Sequence, residues 1–75
     1  MNEFCFEMNI SFDFPLPNGL HARPASHLQE LASRFKGNIR FLNGRGRREA
    51  DAKSVLSLVA TDVKQGDPCR IVFSG

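Results

Sequence analysis

The sequence predicts an α+β domain in which a four-stranded, mostly antiparallel sheet carries helices on one face. Apolar residues fall on every second position near both ends and in the middle of the chain, the period of a strand with one buried face. They recur at helical spacing in two places only, so the elements run β, α, β, β, α, β. Strands with a single apolar face are satisfied economically by an antiparallel sheet whose helices gather on that face.

The first strand is the alternation of Phe4, Phe6, Met8, Ile10, Phe12 and Phe14 with Cys5, Glu7, Asn9, Ser11 and Asp13. Pro15 and Pro17 withhold ladder donors and Asn18-Gly19 tolerates positive φ, so a loop follows. Ala25, Leu28, Leu31, Ala32 and Phe35 then mark the apolar face of the one long helix, with Gly37 placed for a left-handed stop. Pro24 fits only in the first turn of that helix, which sets its start between Ala22 and Pro24 and leaves His21 at the entrance.

Ile39 and Phe41 alternate through a second strand, and Arg48 to Ala52 form its hairpin partner across Arg45-Gly46. Ser54 is placed to cap a short helix with Val55, Leu58 and Val59 on its apolar face. Gln65, Gly66 and Asp67 turn the chain into a last strand of alternating Cys69, Ile71 and Phe73, with Pro68 at its first position.

Seventy-five residues suffice for one core and no more. At 41% hydrophobic and 24% charged, the chain is too apolar for a disordered tail. It contains no apolar run of the length a membrane helix needs, and its Phe-rich start has no basic lead-in of a secretory signal. The expectation is a cytoplasmic protein without direct membrane insertion, its Cys5 and Cys69 reduced and packed as small hydrophobes. The net charge of +2 owes much to Arg40, Arg45, Arg47 and Arg48, and suits an anionic partner without naming one. With no Tyr or Trp to stack on bases, that cluster reads as a solvated hairpin tip rather than a nucleic-acid surface.

The residue with the sharpest chemistry is His21. A helix start presents unpaired amide donors and the positive end of a dipole, so a histidine there can hold an anion, a phosphoryl group above all, between its ring and those donors. The dipole and the Arg23 cation disfavour imidazolium, leaving the neutral nucleophilic ring, and the Arg23 guanidinium offers donors to phosphate oxygens. From spacing alone a surface histidine that merely precedes a helix is the competing reading. His27, six residues on, lies on another helix face and does not pair with His21 as metal ligands would. No cofactor-binding motif or metal site is expected.

The stretch Pro17-Asn18-Gly19-Leu20-His21-Ala22-Arg23-Pro24-Ala25 closely resembles the active-site motif of HPr, the histidine-containing phosphocarrier family of the bacterial sugar phosphotransferase system. The segment Ala52-Lys53-Ser54-Val55-Leu56-Ser57-Leu58 is similar to that family's regulatory-serine motif at the usual distance. The resemblance spans nearly the whole chain and implies an open-faced β-sandwich. It also implies that His21 accepts phosphate on Nδ1 from phosphorylated enzyme I and passes it to a IIA protein or domain during sugar uptake. Arg23 matches the phosphate-stabilising arginine. The chain by itself would then be a stoichiometric carrier. A regulatory HPr-like binding module is the alternative, and the histidine argues for the carrier.

Leu16, Leu20 and Ala22 beside His21 are expected as exposed partner contacts, with Arg34 and Lys36 meeting acidic groups on enzyme I or IIA. Ser54 aligns with a position that some family members use for regulation and others do not, and it is a candidate only. Free-standing family members continue into one more amphipathic helix, so residues 1–75 are expected to be a C-terminally shortened domain, with Met8 as an alternative start. Part of the apolar face of Phe4, Phe6, Ile71 and Phe73 would then be open to a second copy. The stretch from Phe14 to Ala25 looks most like the N-terminal HPr-like domain of multiphosphoryl transfer proteins, in which enzyme I and IIA domains share the chain.

Overall fold

A computed structural model describes residues 7–75. The alternation at Phe4 and Phe6, and Cys5 between them, lie outside the described residues. The elements are β1 (Glu7–Asp13), α1 (Ala22–Ala32), β2 (Asn38–Asn43), β3 (Arg48–Asp51), α2 (Val55–Ala60) and β4 (Pro68–Ser74). They form one sheet of order β1-β4-β2-β3 in which every neighbouring pair is antiparallel.

Register puts the apolar sets on one face. Phe12 faces Cys69, Ile10 faces Ile71 and Met8 faces Phe73 across β1 and β4, while Phe41 faces both Ile71 and Ala50. A slip by one residue would turn every one of these side chains to the opposite face, so the pattern itself fixes the pairing. Phe41 and Leu58 are the largest apolar side chains fully withdrawn from water, and Phe12 meets Phe41 edge to face at 6.3 Å. Burial weakens along β1, where Met8 and Ile10 stay exposed.

Several local expectations need correction. Helix α1 stops at Ala32 rather than running to Phe35, because Ser33 Oγ donates to the Glu30 carbonyl and Arg34 and Phe35 close tight turns onto Leu31 and Ala32. Gly37 is not left-handed. Its lack of a side chain serves close approach instead, since a Cβ there would lie 2.3 Å from the Ser74 carbonyl oxygen. The turn between β2 and β3 is Gly44 to Arg47, and its positive φ falls on Arg47. Leu31 and Val59, assigned to apolar helix faces, are exposed at 55% and 39%, because each helix buries only a narrow stripe, Ala25 and Ala32 in α1 and Leu58 in α2. Phe14 lies beyond β1 yet is buried.

Buried polar groups are all engaged among the described residues. Asn43, at the end of β2, donates Nδ2 to the Thr61 carbonyl at 2.9 Å and accepts the Arg45 amide on Oδ1 at 3.1 Å. One side chain thus joins the hairpin turn to the end of α2. Lys53 Nζ donates to the carbonyls of Phe35 and Gly37, tying the exit of α1 to the loop before α2.

Candidate functional site

The loop from Phe14 to Leu20 carries the chain from β1 to α1 and sets where His21 stands. Leu16 and Gly19 close a turn, the Gly19 amide donating to the Leu16 carbonyl at 3.2 Å, with Pro17 and Asn18 between them as their propensities favour. Gly19 follows at φ 74, and the Leu20 amide donates to the Val63 carbonyl at 3.1 Å. That bond turns the Leu20 side chain inward, and it is 5% exposed.

Leu20 is therefore a core residue and not an exposed contact. It sits at the N′ position of α1, and Ala25, five residues on at N4, is fully buried; both belong to the core cluster and occupy the two positions of a hydrophobic staple. The apolar pair flanking the cap was the signal in the sequence. Leu16, at 43% exposure, and Ala22 remain on the surface as expected.

His21 is the N-cap of α1, with extended backbone at φ −93 and ψ −170. Its side chain caps nothing, and the ring is exposed. The first intrahelical bond runs from the Ala25 amide to the His21 carbonyl at 3.0 Å. Pro24 has no amide hydrogen, and the Ala22 and Arg23 amides are donors without an intrahelical acceptor at this end of the helix. Arg23 is exposed and takes part in no ion pair among the described residues. A nucleophilic ring, two free amides, a helix dipole and an uncommitted guanidinium can together receive a dianion.

Ser54 lies elsewhere, as the N-cap of α2, its Oγ accepting the Ser57 amide at 3.3 Å. His27, Arg34 and Lys36 are exposed. No group of three or more His, Cys, Asp or Glu able to hold a metal gathers among the described residues, and no helix there is long and apolar enough to cross a membrane. Within the arginine cluster, Arg40 meets Glu49 at 2.5 Å and Arg45 meets Asp67 at 2.9 Å, while Arg47 and Arg48 are exposed.

A concavity of about 630 Å³ lies by the β2–β3 turn between Leu42, Pro68 and Arg70, and contains none of the expected site residues. His21 is exposed, as are Ala22 and Arg23 after it, so the ring is accessible to a docking protein. Cys69 lines that groove, but burial pushes its thiol up to about 11, so it is the unreactive form at neutral pH.

An antiparallel open-faced sheet with an exposed histidine at the start of its longer helix is the architecture of the small histidine-phosphocarrier proteins. The family model described as the HPr component phosphorylation site of the phosphotransferase system matches residues 9–75. Two multiphosphoryl transfer proteins of Escherichia coli K12, numbers 2 and 1, are 46% and 47% identical to the chain over 66 and 68 residues. Those matches cover 88% and 91% of this chain and 8% of each relative, so the chain spans a small part of their length. Among solved structures, a mycoplasma histidine-containing phosphocarrier protein superposes with a TM-score of 0.84 at 32% identity, over 91% of this chain and 75% of that one. The chain belongs to the HPr family of the phosphotransferase system.

Proposed function

We propose that this chain carries a phosphoryl group on His21, taking it from phosphorylated enzyme I and giving it to a IIA protein or domain of a sugar phosphotransferase system. The observation that supports this best is the exposed, non-capping ring at the start of α1, followed in the chain by two amides without an intrahelical acceptor and by the free Arg23 guanidinium. The lone pair of a neutral ring nitrogen forms the new N–P bond as the donor histidine's N–P bond breaks. That bonding pair returns to the donor ring. Little covalent assistance is required beyond placing the ring and balancing the charge on the phosphoryl oxygens, which the amides and Arg23 supply.

Leu16 and Ala22 offer the apolar contact around the ring, and Arg34 and Lys36 the charge for an acidic partner surface. Ser54 is a candidate regulatory position only, since its hydroxyl already caps α2. The similarity to multiphosphoryl transfer proteins supports a setting in which the chain works as one domain among several. Exposed Met8 and Ile10 on the apolar side of β1 favour self-association, read by sedimentation as a dimer.

Incubation with phosphoenolpyruvate and enzyme I should label the chain once, on His21, with an acid-labile and base-stable bond. An unlabelled wild type, or a His21→Ala chain that still takes up label, would remove the carrier reading.

A further inference from the structure

The loop that presents His21 takes its position from a second loop. Four hydrogen bonds stitch residues 14–20 to the α2–β4 connection. The Phe14 amide donates to the Asp67 carbonyl at 2.9 Å and the Gly66 amide to the Phe14 carbonyl at 2.8 Å. Gln65 Nε2 donates to the Pro15 carbonyl at 3.3 Å, and the Leu20 amide to the Val63 carbonyl at 3.1 Å. The last is the contact nearest the histidine.

The α2–β4 connection needs support in turn, because Asp62 and Gly66 hold positive φ angles of 54 and 87. That support comes from Asp67 and Arg45. The Asp67 carboxylate accepts the Lys64 amide at 2.8 Å and Arg45 Nε on both oxygens at 2.9 Å. Arg45 Nη2 donates to the Asp62 carbonyl at 2.8 Å, so one guanidinium clamps both ends of the segment that contains Val63. Asn43 fixes the Arg45 amide, as described above.

We infer that Arg45 and Asp67 are positioning residues for His21: their ion pair sets the α2–β4 connection, whose Val63 carbonyl holds Leu20 and hence the entrance of α1. Neither residue touches the ring. The inference rests on His21 being the phosphoryl acceptor. It assigns a purpose to an arginine that in the sequence reads only as part of a solvated hairpin tip, and it makes a turn more than twenty residues away in sequence part of the transfer machinery.

The test uses Arg45→Lys, which keeps the charge and loses the fork, Asp67→Asn, which keeps the shape and loses one acceptor, and the double variant. Arg40→Ala, on the exposed Arg40–Glu49 pair, is the control for loss of a surface ion pair, and Ile39→Val is the control for general destabilisation. Amide hydrogen exchange at Leu20 should quicken about tenfold in each single variant that remains folded at the assay temperature. Single-turnover phosphorylation by enzyme I should slow about fivefold with unchanged half-saturation, because a displaced ring costs chemistry rather than docking. The double variant should be no slower than the slower single one, as expected for two partners in one interaction. Wild-type Leu20 exchange and transfer rates in either single variant would overturn the inference, as would equal slowing by Ile39→Val. Absence of His21 label in the wild-type chain would instead remove the carrier reading, and this inference with it.

Discussion

A Cβ placed on Gly19 would lie 2.2 Å from the carbonyl oxygen of Val63, the same oxygen that accepts the Leu20 amide. No side chain fits between them. Gly19 also holds φ 74, which any other L-residue adopts at a cost. Gly19→Ala should therefore destabilise the domain by about 2 kcal/mol or more, a fall in melting temperature on the order of 10 °C for a chain of this size. Phosphoryl transfer should fall further than stability alone explains, since the loop can accept the methyl group only by moving Leu20 and His21. Thermal melts beside transfer rates measured well below the melting point check both parts.

Arg23 should behave in the opposite way. Its side chain is exposed and in no ion pair among the described residues, so Arg23→Ala should change stability by no more than about 0.5 kcal/mol. Transfer through His21 should slow about tenfold, the loss expected for one charge-assisted hydrogen bond to the phosphoryl group. Equal rates would show that the helix amides suffice without it.

The contrast between these two residues bears on what the sequence made legible. Alternation along Ile39–Phe41 and Cys69–Phe73 predicts strands, and the paired register confirms them, because a side-chain period of two leaves one way to bury an apolar face. Pro24 in a first turn and the capping residue Ser54 place both helix starts correctly, since each acts through its own backbone. Apart from the end of α1, which Ser33 and the following turns set locally, what failed was decided by contacts distant in sequence. Leu20 is buried because Val63 accepts its amide, Gly37 is required by Ser74 rather than by a helix stop, and Arg45 is committed to Asp67 across the molecule. No local pattern shows the Ser74 and Asp67 partners, whereas Leu20 and Ala25 flanking the cap are a local sign of burial. The histidine was legible as an anion-binding candidate from its place before the helix, and the resemblance raised it above an ordinary surface residue.

Ser54 accepts the Ser57 amide and starts a helix of only six residues, α2, which has little length over which to spread the loss of a cap. Ser54→Ala should cost about 1 kcal/mol, whereas Ser54→Asp, an equally good capping type with a charge suited to a helix start, should be close to neutral for stability. Chemical denaturation of the two variants checks the pair of values. Equal losses would mean that the hydroxyl contributes through something other than the cap.

Asp67 gives the domain a defined response to acid. The Lys64 amide and, after it, the Arg45 guanidinium hold its carboxyl below the ordinary carboxylate range, while burial acts the other way. A carboxylate whose pKa is lowered by folding binds fewer protons in the native than in the unfolded state, so its contribution is fully present above the unfolded value of about 4. That contribution drains away as the pH falls from there through the lower native value. Wild type should accordingly lose stability on the acid side more steeply than Asp67→Asn, which has no proton to take up, and the two curves should converge as the pH drops below about 4. The same protonation releases the Arg45 fork and slackens the α2–β4 connection, so Leu20 amide protection should decline over the same interval in wild type and stay flat in the variant. Denaturant titrations between pH 7 and 2, with hydrogen exchange at Leu20 followed in parallel, would show parallel acid limbs for the two chains if the Asp67 carboxylate were not the group responsible.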